Sequence, residues 1–284
     1  MLNRIITYTF TTLSCFALMG NAMASERIIS AGSAVTELIV ALGQQDKLIA
    51  VDITSTLPPG LKLPPVGYHK QLSAEGLLTL NPTQLIGSDE MGPITTLNQL
   101  KQSGVAVNIV DTSPTAEGLL NRIDEIAALT DSNDNAAALK AEVSQRIAQL
   151  EQIAIKQPVS QKILFLLINE GRPANVAGAN TTPNAIIELA GGTNPAATKI
   201  ESYKPLSTES MLEMQPDIIL VSGRSYKTLG GPDAILAKMP LLAATPAGQS
   251  KQIIQIDGRA LIGGLGLKSL AEAQRLSQII HPSE

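Results

Sequence analysis

Beyond its first 24 residues the chain has no cysteine and no tryptophan, one phenylalanine, three tyrosines and two histidines. Without thiols no disulfide can staple the fold, so a hydrophobic core must carry it. With two histidines and no cysteine, a zinc or manganese carrier is not expected, since it needs three or four converging His, Asp or Glu ligands. The same scarcity argues against an enzyme. A nucleophile–base pair is hard to build, and neither G-x-S-x-G nor H-E-x-x-H occurs. "GGLGLKS" (263–269) has the wrong glycine–lysine spacing for a phosphate loop. Blocks of one charge are also missing. All 25 acids and all but one of the 21 basic residues lie beyond residue 24, a net charge of about −5 with no basic cluster. Nucleic acid is therefore not an expected partner. Past the N-terminal stretch, no apolar run approaches the roughly 20 residues that a membrane helix requires.

What is present begins with a leader. Arg4 precedes the mostly apolar "IITYTFTTLSCFALM", and "AMA" at 22–24 satisfies the small-residue rule for cleavage. Residues 1–24 read as a signal peptide cut after Ala24, giving an exported, soluble chain that starts at Ser25. Cys15 in "TLSC" offers lipid attachment as the alternative, but the cleavage site is better placed.

The remainder alternates short β-like runs with helical ones. "RIIS" (27–30) leads into "AVTELIVAL" (34–42), closed by Gly43; "KLIAV" (47–51) and "QLIGS" (84–88) follow. "PITTLNQLKQSG" has a proline suited to a first helical turn, and "SPTAEGLLNRIDEIAALT" has a Ser-Pro start signal. Such alternation predicts mainly parallel sheets covered on both faces. Residues 133–156 break it with a long helix in which Leu139, Val143, Ile147 and Leu150 recur at three- and four-residue spacing. Alternation then restarts through "KILFLLI", "DIILVSG" and "QIIQID", ending in a helix near 268–279. The predicted organisation is an N-terminal α/β lobe (25–132), a connecting helix (133–156) and a C-terminal α/β lobe (157–284).

An internal repeat supports two related lobes. "LSAEGLLTLNP" (72–82) aligns with "LSTESMLEMQP" (206–216), with five of eleven positions identical and a strand following each proline. Glu75 and Glu209 hold the same place in the two copies. Each lies in the first turn of a helix capped by Ser73 or Ser207, where the helix dipole favours a carboxylate.

The scarce side chains gather in "PPVGYHKQLSAEGLLTLNP" (64–82), where Tyr68, His69 and Lys70 stand in a row on a loop. With "RIISAGSAVTELIVALG", "LKQSGVAVNIVD", "VAGANTTPNAIIELAGGTN", "SYKPLSTESMLEMQPDIILV" and "GLGLKSL", this segment resembles the periplasmic haem-binding proteins of ABC-type haem importers. These belong to the helical-linker class of substrate-binding proteins. The resemblance spans nearly the whole mature chain. It implies two α/β lobes joined by one long helix, with haem b (hemin) carried edge-on in the cleft between them. It also implies a monomer in the periplasm that delivers its cargo to an inner-membrane ABC permease and ATPase complex.

In that family a tyrosine of the GY…LS.EG segment ligates the iron, and the matching position is Tyr68. The chemistry is compatible: ferric iron is a hard cation and a phenolate a hard donor, although coordination must displace a proton with a pKa of about 10. The competing role is a ring packed on the loop prolines. His69 is open to three readings: a second ligand, a partner of Tyr68, or a solvated loop residue. Relatives with a histidine after the first strand of the C-terminal lobe are not matched here, because that loop reads "NEGRP" (169–173). Water, Tyr203 or Tyr226 would be left for the sixth iron position, or the iron stays five-coordinate. For the propionates, "RSYK" (224–227) places Arg224 beside Tyr226 on an expected loop at a strand's carboxyl end, with Arg172 and Lys70 as further cations. Met91 is either an apolar contact for the porphyrin or a packing residue. The resemblance also implies that Glu75 and Glu209 dock the lobe tips on permease arginines. Its rival within the same fold is a cobalamin or ferric-siderophore carrier, for which so few aromatics are a thin supply.

Overall fold

The computed structural model describes residues 26–158, 161–169 and 171–282. The leader, Cys15 and the expected cut after Ala24 lie outside the described residues. The first half runs β1 (Ile28–Ala31), α1 (Ser33–Ala41), β2 (Leu48–Val51), α2 (Ala74–Leu78), β3 (Gln84–Gly87), α3 (Ile94–Gln102), β4 (Ala106–Ile109) and α4 (Ala116–Leu129). Helix α5 (Asn133–Lys156) leads to β5 (Ile163–Leu167), β6 (Asn175–Ala177), α6 (Thr182–Leu189), β7 (Tyr203–Pro205) and α7 (Thr208–Glu213). Then come β8 (Ile218–Ser222), α8 (Gly223–Leu229), α9 (Pro232–Lys238), α10 (Pro246–Gln249), β9 (Ile253–Ile256) and α11 (Leu267–Ile280).

Two sheets result. The first has the order β2-β1-β3-β4 with every pairing parallel. The second has the order β7-β6-β5-β8-β9, in which β5, β8 and β9 are parallel while β6 runs antiparallel to both its neighbours. The fold is α/β, with two mainly parallel sheets joined by one long helix. The inner strands β1, β3, β5 and β8 are buried along their whole length or nearly so because both faces are covered, whereas the edge strands β4 and β7 are largely exposed. In β5, Ile163 and Phe165 enter one core cluster while Leu164 and Leu166 enter another.

Helix α5 buries the four residues whose spacing marked it, together with Ala136. Its stripe joins a cluster that takes in Ile28, Leu38 and Ile86 from the first half and Phe165, Leu220 and Ile256 from the second. The helix is thus packed into a core common to both halves. The repeat is visible in the backbone as well. Ser73 Oγ accepts from the Gly76 amide at 3.3 Å, and Ser207 Oγ from the Ser210 amide at 3.2 Å. Asn81 and Gln215, equivalent in the two copies, both take positive φ, 49° and 48°, before β3 and β8.

Two local expectations are corrected. Helix α4 starts at Thr115, whose hydroxyl accepts from the Gly118 amide at 3.0 Å, so Ser113 and Pro114 precede it. "RSYK" is no loop: Ser222 caps α8 by accepting from the Ser225 amide, and Arg224 to Lys227 are helical.

Candidate functional site

The carboxyl ends of the parallel strands carry the candidate residues, the position where open α/β sheets bind ligands. The chain leaves β2 through Asp52 and returns to it at Pro64–Gly67. There the Val51 amide bonds Pro64 O at 3.2 Å, and the Ile53 amide bonds Gly67 O at 2.9 Å. Gly67 has φ 89°, which only glycine takes cheaply, and it turns the chain into Tyr68. Tyr68 is extended, and a single 3₁₀ turn over His69–Gln71 follows it. The Gly92 amide donates to His69 O at 2.9 Å and ties this turn to the loop after β3.

His69 is fully buried, which removes the solvated-loop reading. Its Nδ1 lies 3.0 Å from Asp52 Oδ2, and Asp52 also accepts from Thr54 and Ser55 hydroxyls, each at 2.7 Å. The polar chain continues inward, from Ser55 to Thr36 at 2.6 Å and from Thr36 to Ser30 at 2.7 Å. On the other side, His69 Nε2 stands 3.6 Å from Glu90 Oε2, a charge neighbour beyond hydrogen-bond distance. Burial lowers the imidazole's proton affinity, but Asp52 and Glu90 outweigh it and hold His69 above its ordinary value. Burial raises the Asp52 carboxyl, yet the bonds from His69, Ser55 and Thr54 bring it below the usual range. Glu90 falls to about 2, through His69 first and, against burial, through Lys70.

The Tyr68 and His69 rings lie 4.4 Å apart, tilted by 58°. Lys70 is exposed and paired with Glu90, so its cation is already engaged. Met91 is 6% exposed and packs in the core of the first half, with its sulfur where a side chain on Gly87 would stand. Of its two roles, packing is the one this burial fits.

Residues of the second sheet meet this region from across. Tyr203, on the edge strand β7, stacks its ring edge-on against Phe165 with centroids 6.4 Å apart. Although Tyr203 is 37% exposed, desolvation, with the Glu90 carboxylate as a lesser cause, raises its phenol above the ordinary value. Arg259, just beyond β9, donates to Thr56 Oγ1 at 3.1 Å while both its Nε and Nη2 reach Asp257 at 3.1 Å. Arg224 is exposed on the first turn of α8. Tyr226, two residues on, is half-buried against the second half's own core. Arg172 is exposed beyond β5, its amide bonding Asn169 O. His281 ends α11, buried beside Gly191 and away from the strand ends.

Tyr68, His69, Lys70 and Met91 are therefore brought together, while Tyr203 lies on the edge strand of the second sheet against Phe165. Arg224, Tyr226 and Arg172 sit on the second sheet's strand ends without joining that cluster. Glu75 and Glu209 are exposed on α2 and α7. Asp52, Glu90 and Arg259 were missed in the sequence. Their signal was available, since each lies within three residues of a strand's carboxyl end, but acids and arginines there carry no motif. Among the described residues no group of three or more His, Cys, Asp or Glu is arranged to hold a metal ion.

Comparison with known proteins agrees with this architecture. The chain is 59% identical to the periplasmic heme-binding protein HutB of Vibrio cholerae, with a TM-score of 0.86 over 91% of this chain and 100% of that one. A periplasmic heme-binding protein of Pseudomonas aeruginosa is 35% identical, with a TM-score of 0.84 over 91% and 93%. A vitamin B12-binding protein of Vibrio cholerae serotype O1 is 29% identical over 77% of this chain and 78% of its own length. These similar proteins are substrate-binding transport proteins rather than enzymes. The family model described as periplasmic binding protein matches residues 28–260, most of the chain, and the chain belongs to that family.

Proposed function

We propose that this protein captures haem in the cleft between its two lobes and delivers it to an inner-membrane ABC permease. Tyr68 supplies the phenolate that ligates ferric iron. The observation that carries this reading is the placement of Tyr68: a phenol on a strand-end loop, pinned by β2 on one side and by the loop after β3 on the other. A hard oxygen donor on a fixed backbone suits a hard ferric ion. The 59% identity to a heme-binding protein supports the same reading. Arg224 is the proposed propionate partner, with Tyr203 and Tyr226 near the opposite haem face. Glu75 and Glu209 dock the lobe tips on the permease. The protein acts as a periplasmic monomer, released from its leader after Ala24.

Cobalamin is the second reading, favoured by the relatives named vitamin B12-binding. A corrin already carries its own cobalt ligand on one face and is held by stacking. Only Phe165 and the three tyrosines beyond the leader are available for that, and Phe165 is buried. Titration with hemin and with cyanocobalamin separates the two. Hemin should give a Soret band and the visible charge-transfer bands of tyrosinate-ligated ferric haem, and Tyr68→Phe should lose those bands and most of the affinity while keeping the fold. A wild-type spectrum and affinity in the Phe variant would remove Tyr68 from the site. Tight cyanocobalamin binding without hemin binding would replace the haem reading.

A further inference from the structure

The imidazole of His69 is buried beside the cleft in a position that iron ligation by Tyr68 does not by itself require. A buried carboxylate such as Asp52 needs donors on every side, and His69 Nδ1 completes the set begun by Thr54 and Ser55. The second nitrogen has no hydrogen-bond partner and points toward Glu90. Consecutive side chains on an extended strand would face opposite ways. Here the extended Tyr68 passes directly into a 3₁₀ turn, closed by the Gln71 amide on Tyr68 O at 2.8 Å. Both rings therefore finish on one side, in contact. The phenol has no other aromatic neighbour among the described residues, and Lys70 is turned to Glu90.

We propose that His69 is a positioning residue for the Tyr68 phenol: anchored on Asp52, its ring fixes the angle at which the phenolate meets the iron. This rests on the reading of Tyr68 as the iron ligand. The polar chain from Ser30 through Thr36, Ser55 and Asp52 anchors the imidazole to β1, α1 and β2, so the phenol inherits the rigidity of the sheet. A phenol held only by its own backbone would sample several rotamers and lose part of the bond's strength to ordering.

The test uses His69→Asn, whose amide can still donate to Asp52 but offers no ring, with Asp52→Asn as the second variant. Each is loaded with hemin, and its charge-transfer bands at saturation and hemin dissociation rate are compared with wild type and Tyr68→Phe. A merely structural histidine would lower the melting temperature of the empty protein and leave the saturated spectrum alone. The expected result for His69→Asn is shifted charge-transfer bands and dissociation faster by about tenfold. Asp52→Asn should change both in the same direction by less, and it decides the matter if the first variant does not fold. Wild-type bands and dissociation in the folded variants, while Tyr68→Phe loses both, would overturn the positioning role and leave Tyr68 standing. Wild-type bands in Tyr68→Phe itself would overturn the ligand assignment, and this inference with it.

Discussion

At the scale of single residues, the charged groups at the strand ends divide into those that already have partners and those free to take one. Lys70 answers Glu90, and Arg259 answers Asp257 and Thr56, so neither cation is idle. Arg224 stands exposed at the start of α8, which is why it is the proposed propionate partner. An exposed ion pair contributes about 0.2–1 kcal/mol, so Arg224→Ala should weaken hemin binding only several-fold. The loss should shrink in high salt, since exposed charges are screened. Titrations at low and high ionic strength, with haem dimethyl ester as the uncharged control, check this; an equal loss for the ester would take Arg224 off the propionates. The sequence singled out Tyr68 because aromatic residues are so few and because its segment matches a family pattern. It left His69 ambiguous, because burial depends on Asp52 and Glu90, 17 and 21 positions away, closing on it in space.

At the scale of elements, alternation and capping made most of the fold legible. The three parallel strands β1, β3 and β4 have their counterparts in β5, β8 and β9, and the repeat around α2 and α7 marks the same joint in each set. What escaped was the edge of the second sheet. Strands β6 and β7 have three residues each, too short to show a period, and β7 carries a proline that an edge strand tolerates. Start signals were misread by one or two residues where two capping residues compete, as at Ser113 and Thr115. The paired helices α2 and α7 carry a further expectation. Glu75 and Glu209 are exposed, and hydrogen bonds within its own first turn and from Ser207 hold Glu209 below the usual carboxylate range. Those bonds are local, so removing either charge should leave hemin affinity intact. The double variant Glu75→Gln/Glu209→Gln should lose hemin transfer to a reconstituted importer, and more so than either single change, because each lobe would otherwise keep its hold. Transfer at the wild-type rate would confine both carboxylates to their helices; binding that falls in step with transfer would place them in the cleft.

At the scale of the whole molecule, the two halves are joined by more than the long helix. Besides the core shared through α5, the loop before α11 reaches back onto α1 and α4. Buried Arg122 of α4 donates to Leu265 O at 2.7 Å and to Asp111 O. The Ala34 amide bonds Ile262 O at 3.3 Å. Glu37 of α1 accepts from the Lys268 amide at 3.3 Å, at the amino end of α11, where a side chain on Gly266 would collide with it. The contacts between the two halves could not be read from the sequence, since their partners lie 143 to 231 positions apart. Burial raises the Glu37 carboxyl from 4.5 to about 7, against the Lys268 ammonium and the Lys268 and Leu267 amides that favour its charged form. The folded state therefore binds this proton more tightly than the unfolded chain does. The stability it contributes is fully present below pH 4.5 and is lost as pH rises through about 7. His69, also raised in the fold, adds a loss of the same sign above its ordinary value, whereas Asp52 and Glu90, both lowered, act only in acid. Glu37→Gln isolates the joint, because the amide oxygen can still accept from Lys268 while nothing titrates there. Denaturant midpoints of the two proteins should converge or cross as pH rises from 4.5 to 7, with wild type losing stability relative to the variant throughout that window and the difference levelling above it. A difference that stays constant across the window would mean that Glu37 is ionised throughout, with Lys268 and Arg122 overcoming its burial.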